Sequence, residues 1–290
     1  MNQVTKAVIA AAGRGTRFLP VVKGYPKELI AILDKPNLQY LVEELIGAGI
    51  KKIAIVHRHG DLSLKRYFTP DPSLEKYLKD TGKTVYLDSL KAIWQKTELK
   101  FIPQGQSLPY GNASPALAAK SFIGSDPFVF MFGDDLAVET KPGTYLKSLI
   151  NTFLQKKVDM VVAIQQVPWS EIERYGPVSF DSKDKTRLRG VFEKVPRDQA
   201  PSNFTQWGRF VTSAQIIKNI SKQATSKGEL WWADAVDYLA KNNHVIGVTS
   251  PKNLWMTTGD PLRWLKVNLT LALRHPDYQK DVKDFLKTLK

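Results

Sequence analysis

The apolar run at residues 6–12 constrains the fold more than any other feature of this sequence. The run reads KAVIAAA and stops at Gly13. A continuous apolar run that ends at glycine is typical of a strand buried on both faces of a parallel sheet. Residues 37–48 then carry apolar side chains at a helical period, and a second apolar run fills 52–57. This strand–helix–strand order predicts a βαβ unit, and therefore a parallel sheet.

The remaining periodicity divides the chain into a long first part and a more irregular second part. Before Pro168, it predicts helices at 61–97, 112–121 and 144–156 and strands at 99–102, 127–132 and 158–167. After Pro168, it predicts short strands at 176–180, 188–194, 206–212 and 244–249 and helices near 213–220, 231–242 and 260–274. We expect a single domain, 1–290, with a doubly wound α/β core at 1–168 and a smaller mixed α+β lobe with C-terminal helices at 169–290.

The chain is basic and contains no cysteine. It has 42 lysines and arginines against 28 acidic residues, which gives a net charge of +14. The lack of cysteine excludes disulfides, thiolate metal sites and a cysteine nucleophile. The charge has several interpretations: nucleic-acid binding, a lysine-rich proteome, or a pocket for small polyanions. Because the basic residues are spread along the chain, and those in 274–290 have the spacing of a solvated helix face, we disfavour nucleic acid as a partner.

No stretch of the sequence has the composition of a membrane or export segment. No window approaches the roughly 18 consecutive apolar residues that a membrane-spanning helix needs. The first residues lack the long apolar stretch and the cleavage site of a signal peptide. We therefore expect a cytoplasmic protein with no membrane partner.

The loop after the first predicted strand has the residues of a phosphate cradle. It reads Ala-Ala-Gly-Arg-Gly-Thr-Arg over residues 11–17, and a Pro-Lys pair follows at 26–27. Glycines let the backbone approach a ligand closely, and successive N–H groups can hold phosphate oxygens. Arg17 offers a bidentate fork and Lys27 a point charge. The spacing after the second glycine fits neither GxxxxGK[ST] nor GxGxxG, so a purely structural turn remains the alternative.

A pair of carboxylates follows another apolar run. Asp134 and Asp135 come directly after the strand predicted at 127–132 and one glycine. Open α/β sheets bind ligands beyond the carboxyl ends of their parallel strands. We therefore assign these carboxylates to a ligand site on the pattern alone.

The residues quoted so far resemble a known family. The run KAVIAAAGRGTRFLP, followed by PKELIAILDKPNLQYLVEE, is similar to the start of bacterial UTP–glucose-1-phosphate uridylyltransferases, which are sugar nucleotidyltransferases. The resemblance extends over nearly the whole chain in a shared order of short motifs, which are Gln104, 110–113 (YGNA), 133–135 (GDD), 175–176 (YG), 191–194 (VFEK), 200–203 (APSN), 208–210 (GRF), 228–230 (GEL) and 258–260 (TGD).

The resemblance implies a Rossmann-like nucleotidyltransferase core and assigns its nucleotide site. The backbone of three residues would hold the nucleotide, namely Ala11, Ala12 and Gly13. Three more would lie over its phosphates, namely Gly15, Thr16 and Arg17. Lys27 would meet the leaving pyrophosphate, Gln104 would read the pyrimidine edge, and Gly111 would let the base lie against the chain. Taken alone, Gln104 is equally a surface residue.

The resemblance also assigns the sugar side and the metal. Gly176 and Glu193 would contact sugar hydroxyls, Lys194 would meet the sugar phosphate, and Asp134 would hold Mg²⁺. Taken alone, Gly176 is equally a turn residue, and the pair Glu193–Lys194 equally a solvated ion pair at a strand end.

The activity that the resemblance implies needs little covalent help from the protein. An oxygen of glucose 1-phosphate would attack the α-phosphorus of UTP in line, giving UDP-glucose and pyrophosphate. Positioning and charge neutralisation would carry catalysis, because the attacking phosphate oxygen is already ionised and needs no general base. The resemblance further implies a homo-oligomer.

The sequence departs from the family at three places. Thr257 stands where the family has a second metal carboxylate before Thr-Gly, so Mg²⁺ affinity should fall. Trp231 and Trp232 stand in the family's GEIQLTD motif, with core packing, a subunit contact or a sugar platform as alternatives. Asn112 replaces a histidine after the base-binding glycine. These departures leave open a catalytically impaired regulator or inactive subunit on the same fold, or another pyrimidine nucleotide or sugar phosphate.

Overall fold

The protein is described here by a computed structural model that covers residues 3–94, 96–223, 228–242 and 244–289. The strands in this part of the chain are β1 (Lys6–Ala11), β2 (Ala31–Ile32), β3 (Lys35–Pro36), β4 (Lys52–His57), β5 (Glu98–Pro103), β6 (Phe128–Phe132), β7 (Asp135–Ala137), β8 (Met160–Gln166), β9 (Gly176–Phe180), β10 (Leu188–Val191), β11 (Phe204–Thr212), β12 (Val245–Thr249) and β13 (Trp255–Thr257).

The α-helices in the same ranges are α1 (Asn37–Gly47), α2 (Ser63–Tyr67), α3 (Pro72–Asp80), α4 (Thr84–Trp94), α5 (Ser114–Ala118), α6 (Lys120–Ile123), α7 (Thr144–Lys156), α8 (Gln215–Lys222), α9 (Trp232–Lys241), α10 (Pro261–Ala272) and α11 (Gln279–Thr288). Short 3₁₀ turns at 16–18, 21–23, 27–29, 169–174 and 197–199 join them.

Nine of these strands form one large, mostly parallel sheet. Its main order is β12-β8-β11-β6-β1-β4-β5, and β9 with β10 joins the first half of β11. The strands β6, β1, β4 and β5 run parallel, whereas β11 runs antiparallel between β6 and β8. The predicted doubly wound α/β fold is confirmed.

The alternation of side chains along β1 explains why its sequence is apolar throughout. Ile9 points into a hydrophobic cluster that includes residues of α1 and α7. Its neighbour Val8 points into a second cluster, which includes residues of α5, α8 and α9. Because helices cover both faces of the sheet, a central strand needs apolar residues at every position.

The structure differs from the predicted elements in three places. The helical stretch at 61–97 is divided into α2, α3 and α4, with a proline-containing break before α3 and Gly82 at a φ of +69° after it; residue 95 lies outside the described residues. The helix at 112–121 is replaced by the short α5 and α6. The short antiparallel pairs β2–β3 and β7–β13 were not predicted, because strands of two or three residues carry too little periodicity.

Two further features concern the second half of the chain. Strand β11 lies in the middle of the large sheet although it follows residue 168, so the division into 1–168 and 169–290 does not divide the sheet and stays a prediction. Every described side chain of α11 is at least partly exposed, as expected of a solvated helix face. Across the residues that the structure covers, none of the helices is both long and apolar enough to cross a membrane.

Candidate active site

The loops that follow β1, β5 and β6 meet at one edge of the sheet. β1 leads into the loop of Gly13, β5 into Gln104, and β6 into Gly133 and Asp134. Parallel strands present their carboxyl ends at the same edge, where open α/β sheets bind ligands. The predicted nucleotide and metal residues therefore converge because of the sheet topology.

The loop after β1 is shaped by two glycines that Lys27 packs against. Gly15 has a φ of +64°, which favours glycine, and a Cβ added there would lie 3.1 Å from Lys27 Cβ. A Cβ added to Gly13 would lie 3.9 Å from Lys27 Nζ. The ammonium of Lys27 thus lies over the part of the loop that the sequence assigns to phosphates.

Lys27 forms an ion pair with Asp134. Its Nζ lies 2.6 Å from Asp134 Oδ2 and 3.9 Å from Glu28 Oε1. Burial acts to lower the pKa of Lys27, but the charges of Asp134 and Glu28 outweigh it and raise that pKa above its ordinary value. Burial acts to raise the pKa of Asp134, and Lys27 outweighs that effect, so the pKa falls. At neutral pH the pair is therefore ionised on both sides.

Glu28 is a buried acid beside this pair. Its side chain is 1% exposed, and among the described residues neither carboxyl oxygen accepts a hydrogen bond from another residue. Burial raises the pKa of Glu28 to about 7, and the charge of Lys27 offsets only part of that effect. Buried polar groups without partners are rare, and perturbed acids cluster at functional sites. Glu28 was not predicted as a site residue, although it follows Lys27 directly.

Asp135 has a structural role, in contrast to its neighbour. Its Oδ2 accepts a hydrogen bond from the Gly208 amide at 2.9 Å, and its Oδ1 accepts one from Trp255 Nε1 at 2.8 Å. Burial, and then the charge of Asp134, raise the pKa of Asp135 to about 6. The carboxyl group thus ties β7 to β11 and β13, and of the two adjacent acids Asp134 is the one available to a ligand.

The segment around Gly259 brings three predicted residues together. A Cβ added to Gly259 would lie 3.3 Å from Thr257 Oγ1, 3.4 Å from Asp134 Oδ2 and 3.7 Å from Arg17 Nη1. The pairing of β7 with β13 produces this arrangement, because it sets Thr257 opposite Asp135. Thr257 therefore lies beside Asp134, where the family's second carboxylate was expected.

Gly111 is fixed by a close approach of the chain to itself. Its φ is +141°, and an added Cβ would overlap the backbone of Leu230. Tyr110 O accepts a hydrogen bond from Leu230 N at 2.7 Å, and Asn112 Oδ1 accepts one from Trp232 N at 2.6 Å. The residue that departs from the family, Asn112, thus holds residues 230–232 against the loop of Gly111, which the sequence assigns to the base.

Lys194 belongs to the residues that the resemblance assigns to the sugar side. Its backbone has a φ of +49°, an uncommon conformation for a residue other than glycine, and its amide donates to Tyr175 O at 3.2 Å. Its Nζ lies 3.6 Å from Glu193 Oε1. Burial raises the pKa of Glu193, and the charge of Lys194 offsets part of that effect. Glu193 and Lys194 both line a cavity that Asp134 also lines.

Most of the predicted site residues line two adjoining cavities. The first, of about 410 Å³, is lined among others by Ala12, Gly13, Arg17, Lys27, Gln104, Gly111, Asp134 and Lys194. The second, of about 530 Å³, is lined among others by Arg17, Asp134, Gly176, Glu193 and Lys194. Ala11, Gly15 and Thr16 are not among the lining residues of either: Ala11 is buried in β1, and Gly15 precedes the 3₁₀ turn that Thr16 begins.

Several lining residues were not predicted as site residues. In the first cavity these are Glu28, Tyr110, Asn112, Glu229 and Trp231. In the second they include Arg174, Tyr175, Gln206, Asp260 and Arg263. Most of them lie in or next to a motif quoted from the sequence, which was the available signal. Gln206 and Arg263 adjoin none and reach the cavity through tertiary packing.

The acidic residues fit a partly hydrated divalent cation better than a closed metal site. Within the ranges that the structure covers, no three His, Cys, Asp or Glu side chains gather in a way that could hold a metal ion. The hydroxyl of Thr257 donates to the carbonyl of Asp134 at 3.2 Å. Mg²⁺ is commonly bound by one or two carboxylates together with substrate phosphates and water. Asp134 could supply one such carboxylate.

Comparison with known proteins identifies the family. The sequence model of the family described as nucleotidyl transferase matches residues 6–273. A UTP–glucose-1-phosphate uridylyltransferase of Streptococcus pneumoniae is 34% identical over 98% of this chain and 96% of that protein. One of Bacillus subtilis is 32% identical over 100% of this chain and 98% of that protein.

Solved structures show the same relationship. A UDP-glucose pyrophosphorylase from Acinetobacter baumannii superposes with a TM-score of 0.89 at 29% identity, covering 99% of this chain and 100% of that one. A second structure, described as a UDP-glucose pyrophosphorylase complexed with UDP-glucose, has a TM-score of 0.83 at 28% identity and covers 94% of this chain and 100% of that one. The chain belongs to the nucleotidyl transferase family, as its sequence motifs predicted.

Proposed function

We propose that this chain joins UTP to glucose 1-phosphate and releases pyrophosphate and UDP-glucose. Relatives that match nearly the full chain are named UTP–glucose-1-phosphate uridylyltransferases. The observation that carries the proposal is the shared wall of the two cavities, where Arg17, Asp134 and Lys194 line both. Two polyanionic substrates must meet in this reaction, and a junction with two cations and one carboxylate suits that meeting.

The two cavities divide the substrates between them. The first is lined mostly by residues before 168, including Gln104, and takes the nucleotide. The second is lined mostly by residues from Arg174 onward and takes the sugar phosphate. On this assignment 1–168 is the nucleotide-binding part and 169–290 the sugar-phosphate part, even though both contribute strands to one sheet. Gly176 and Glu193 then face the sugar.

The side chains of this chain would align the reactants and stabilise charge. Lys194 orients the phosphate of glucose 1-phosphate, whose oxygen attacks the α-phosphorus of UTP. Arg17 and Lys27, which both line the first cavity, hold the departing pyrophosphate. Preorganised cations of this kind lower the barrier because they need no rearrangement as charge moves from one oxygen to another.

A metal ion would have a single carboxylate ligand from the protein in the proposed site. A divalent cation, for which we propose Mg²⁺, would be held by Asp134 together with substrate phosphates and water. When bound, it would neutralise phosphate charge. Lys27 already touches Asp134 Oδ2 at 2.6 Å, so this ammonium and the cation would share one carboxylate.

A pyrophosphate-release assay tests the proposed function. The purified chain is offered each of four nucleoside triphosphates with each of several sugar 1-phosphates, with and without Mg²⁺. We expect the highest kcat/KM for UTP with glucose 1-phosphate, and a loss of rate when the metal is chelated. A higher value for another pair would correct the substrate, and binding of UDP-glucose without turnover with any pair would contradict the assignment as an enzyme. A homo-oligomeric state and a cytoplasmic location stay predictions.

A further inference from the structure

The adjacent tryptophans at 231 and 232 have different surroundings. Trp232 is fully buried, and its ring stacks on Phe130 with centroids 3.9 Å apart and planes at 18°. Trp231 is only partly buried and lines the first cavity. Core packing therefore accounts for the presence of Trp232. The role of Trp231 must be sought in the groups that its ring faces.

The backbone on either side of Trp231 is held firmly. Leu230 donates to Tyr110 O at 2.7 Å and its own carbonyl accepts from the Ala113 amide at 3.1 Å. The carbonyl of Trp231 accepts from Gln223 Nε2 at 2.9 Å. Because the next residue, Trp232, is anchored in the core, the backbone of Trp231 is held in place beside the first cavity.

The group that Trp231 faces is Lys194. The Lys194 Nζ lies 5.1 Å from the centroid of a Trp231 ring, within the range of a cation–π interaction. Glu193 Oε1 lies 3.6 Å from the same Nζ. The Lys194 side chain is 48% exposed. A lysine has a long flexible stem, and ordering such a half-exposed side chain costs conformational entropy.

We propose that Trp231 is a positioning residue for Lys194. Its indole holds the ammonium at the junction of the two cavities, so that less entropy is lost when Lys194 orders against the sugar phosphate. The ammonium has three N–H donors and can keep the ring face on one side while it donates to a phosphate on the other. The inference rests on the proposed function, and it gives a role to a tryptophan that stands where the family has glutamine.

The first test compares two substitutions of different character. Trp231→Leu keeps an apolar side chain but removes the π face, and we expect it to raise the KM for glucose 1-phosphate by about 2- to 30-fold, the span of exposed to desolvated cation–π pairs. The KM for UTP should rise less than the KM for glucose 1-phosphate, although Trp231 also lines the cavity assigned to the nucleotide. Trp231→Phe keeps a π face and should recover most of the loss. Trp169→Leu, which removes an exposed tryptophan that lines neither of the two cavities, is the matched control and should have wild-type constants.

A double-mutant cycle then tests the coupling to Lys194. The Kd for UDP-glucose is measured by calorimetry for the wild type, Trp231→Leu, Lys194→Met and the double variant, with thermal unfolding to check that each is folded. We expect Trp231→Leu to weaken binding in the wild type but to have almost no effect once Lys194 is gone. An effect of equal size in both backgrounds would overturn the inference, as would unchanged constants in Trp231→Leu. A wild type that binds UDP-glucose with this coupling but releases no pyrophosphate would instead overturn the proposed function.

Discussion

Among the described residues, a buried cluster of opposite charges around Arg209 and a partly exposed one around Lys27 differ in how completely their polar groups are paired. In one, Arg209 is fully buried and donates to both carboxyl oxygens of Glu44, at 2.7 and 2.6 Å, and to the carbonyls of Gly208 and Asp135. In the other, Lys27 contacts Asp134 at 2.6 Å, while the buried carboxyl of Glu28 has no hydrogen-bond partner among the described residues.

The difference separates a structural cluster from the cluster at the proposed substrate site. Arg209 and Glu44 join β11 to α1 in the interior and line neither cavity. Lys27, Glu28 and Asp134 line the first cavity. A closed network holds the fold together, whereas unmatched charge at a cavity is the arrangement expected where a polyanion and a cation bind.

Removing Arg209 should have the largest effect on stability. Arg209→Met leaves Glu44 buried without its partner, and breaking a buried ion pair in this way typically costs about 3–5 kcal/mol. The free energy of unfolding in urea measures the loss. The exposed pair of Lys52 and Glu98, 3.4 Å apart, is the control, and Lys52→Ala should change stability by less than about 1 kcal/mol. A small loss in Arg209→Met would mean that the interior cluster is not structural.

Removing Lys27 should have its largest effect on turnover. Lys27→Ala and Arg17→Ala each remove a cation that would stabilise charge on the departing pyrophosphate, and we expect kcat to fall about 10²- to 10³-fold. Circular dichroism should show an intact fold. Lys35→Ala is the matched control for Lys27, because Lys35 pairs with Glu43 at 2.8 Å outside both cavities. Near-normal rates in both variants would contradict the assignment of Lys27 and Arg17 to the departing pyrophosphate.

Glu28 should make the stability of the protein depend on pH. Burial raises its pKa from the ordinary 4.5 to about 7, so the folded chain holds this proton more tightly than the unfolded chain does. The contribution of Glu28 to stability is therefore present at low pH and is lost as the pH rises through that window. Between pH 5 and 8, the wild type should lose about 2–3 kcal/mol relative to Glu28→Gln.

Urea unfolding of the wild type and Glu28→Gln at several pH values measures this difference. Glu98→Gln, at an exposed residue, is the control and should follow the wild type throughout. Parallel curves for Glu28→Gln and the wild type would show that Glu28 does not titrate in this window.

The smallest predicted effect concerns Thr257. Thr257→Asp places a second carboxylate beside Asp134, and we expect it to lower the Mg²⁺ concentration for half-maximal rate several-fold, because carboxylates are stronger ligands for Mg²⁺ than a neutral hydroxyl. A titration of rate against Mg²⁺ for both proteins decides the matter. An unchanged midpoint would indicate that residue 257 does not contact the metal.

The sequence allowed the fold to be predicted because it leaves local signals, and the loop after β1, whose phosphate role stays a prediction, leaves similar ones. The apolar run before Gly13 and the helical period after it are visible in a few residues, and the shared order of motifs indicated the family. Glu28 left no such signal, since its raised pKa depends on burial by distant segments. The roles of Trp231 and Trp232 stayed open because adjacent residues point in different directions, and the tertiary structure decides which one meets the core.

Lys194 and Lys27 should have different roles, the first in orienting the sugar phosphate and the second in stabilising the departing pyrophosphate, and steady-state kinetics of Lys27→Ala and Lys194→Ala measures the difference. The rate of pyrophosphate release is measured while each substrate is varied in turn. We expect Lys194→Ala to raise the KM for glucose 1-phosphate more than the KM for UTP, whereas Lys27→Ala should lower kcat with smaller changes in either KM. If the two variants showed the same pattern, or if Lys194→Ala changed both KM values equally, Lys194 would not be the residue that orients the sugar phosphate.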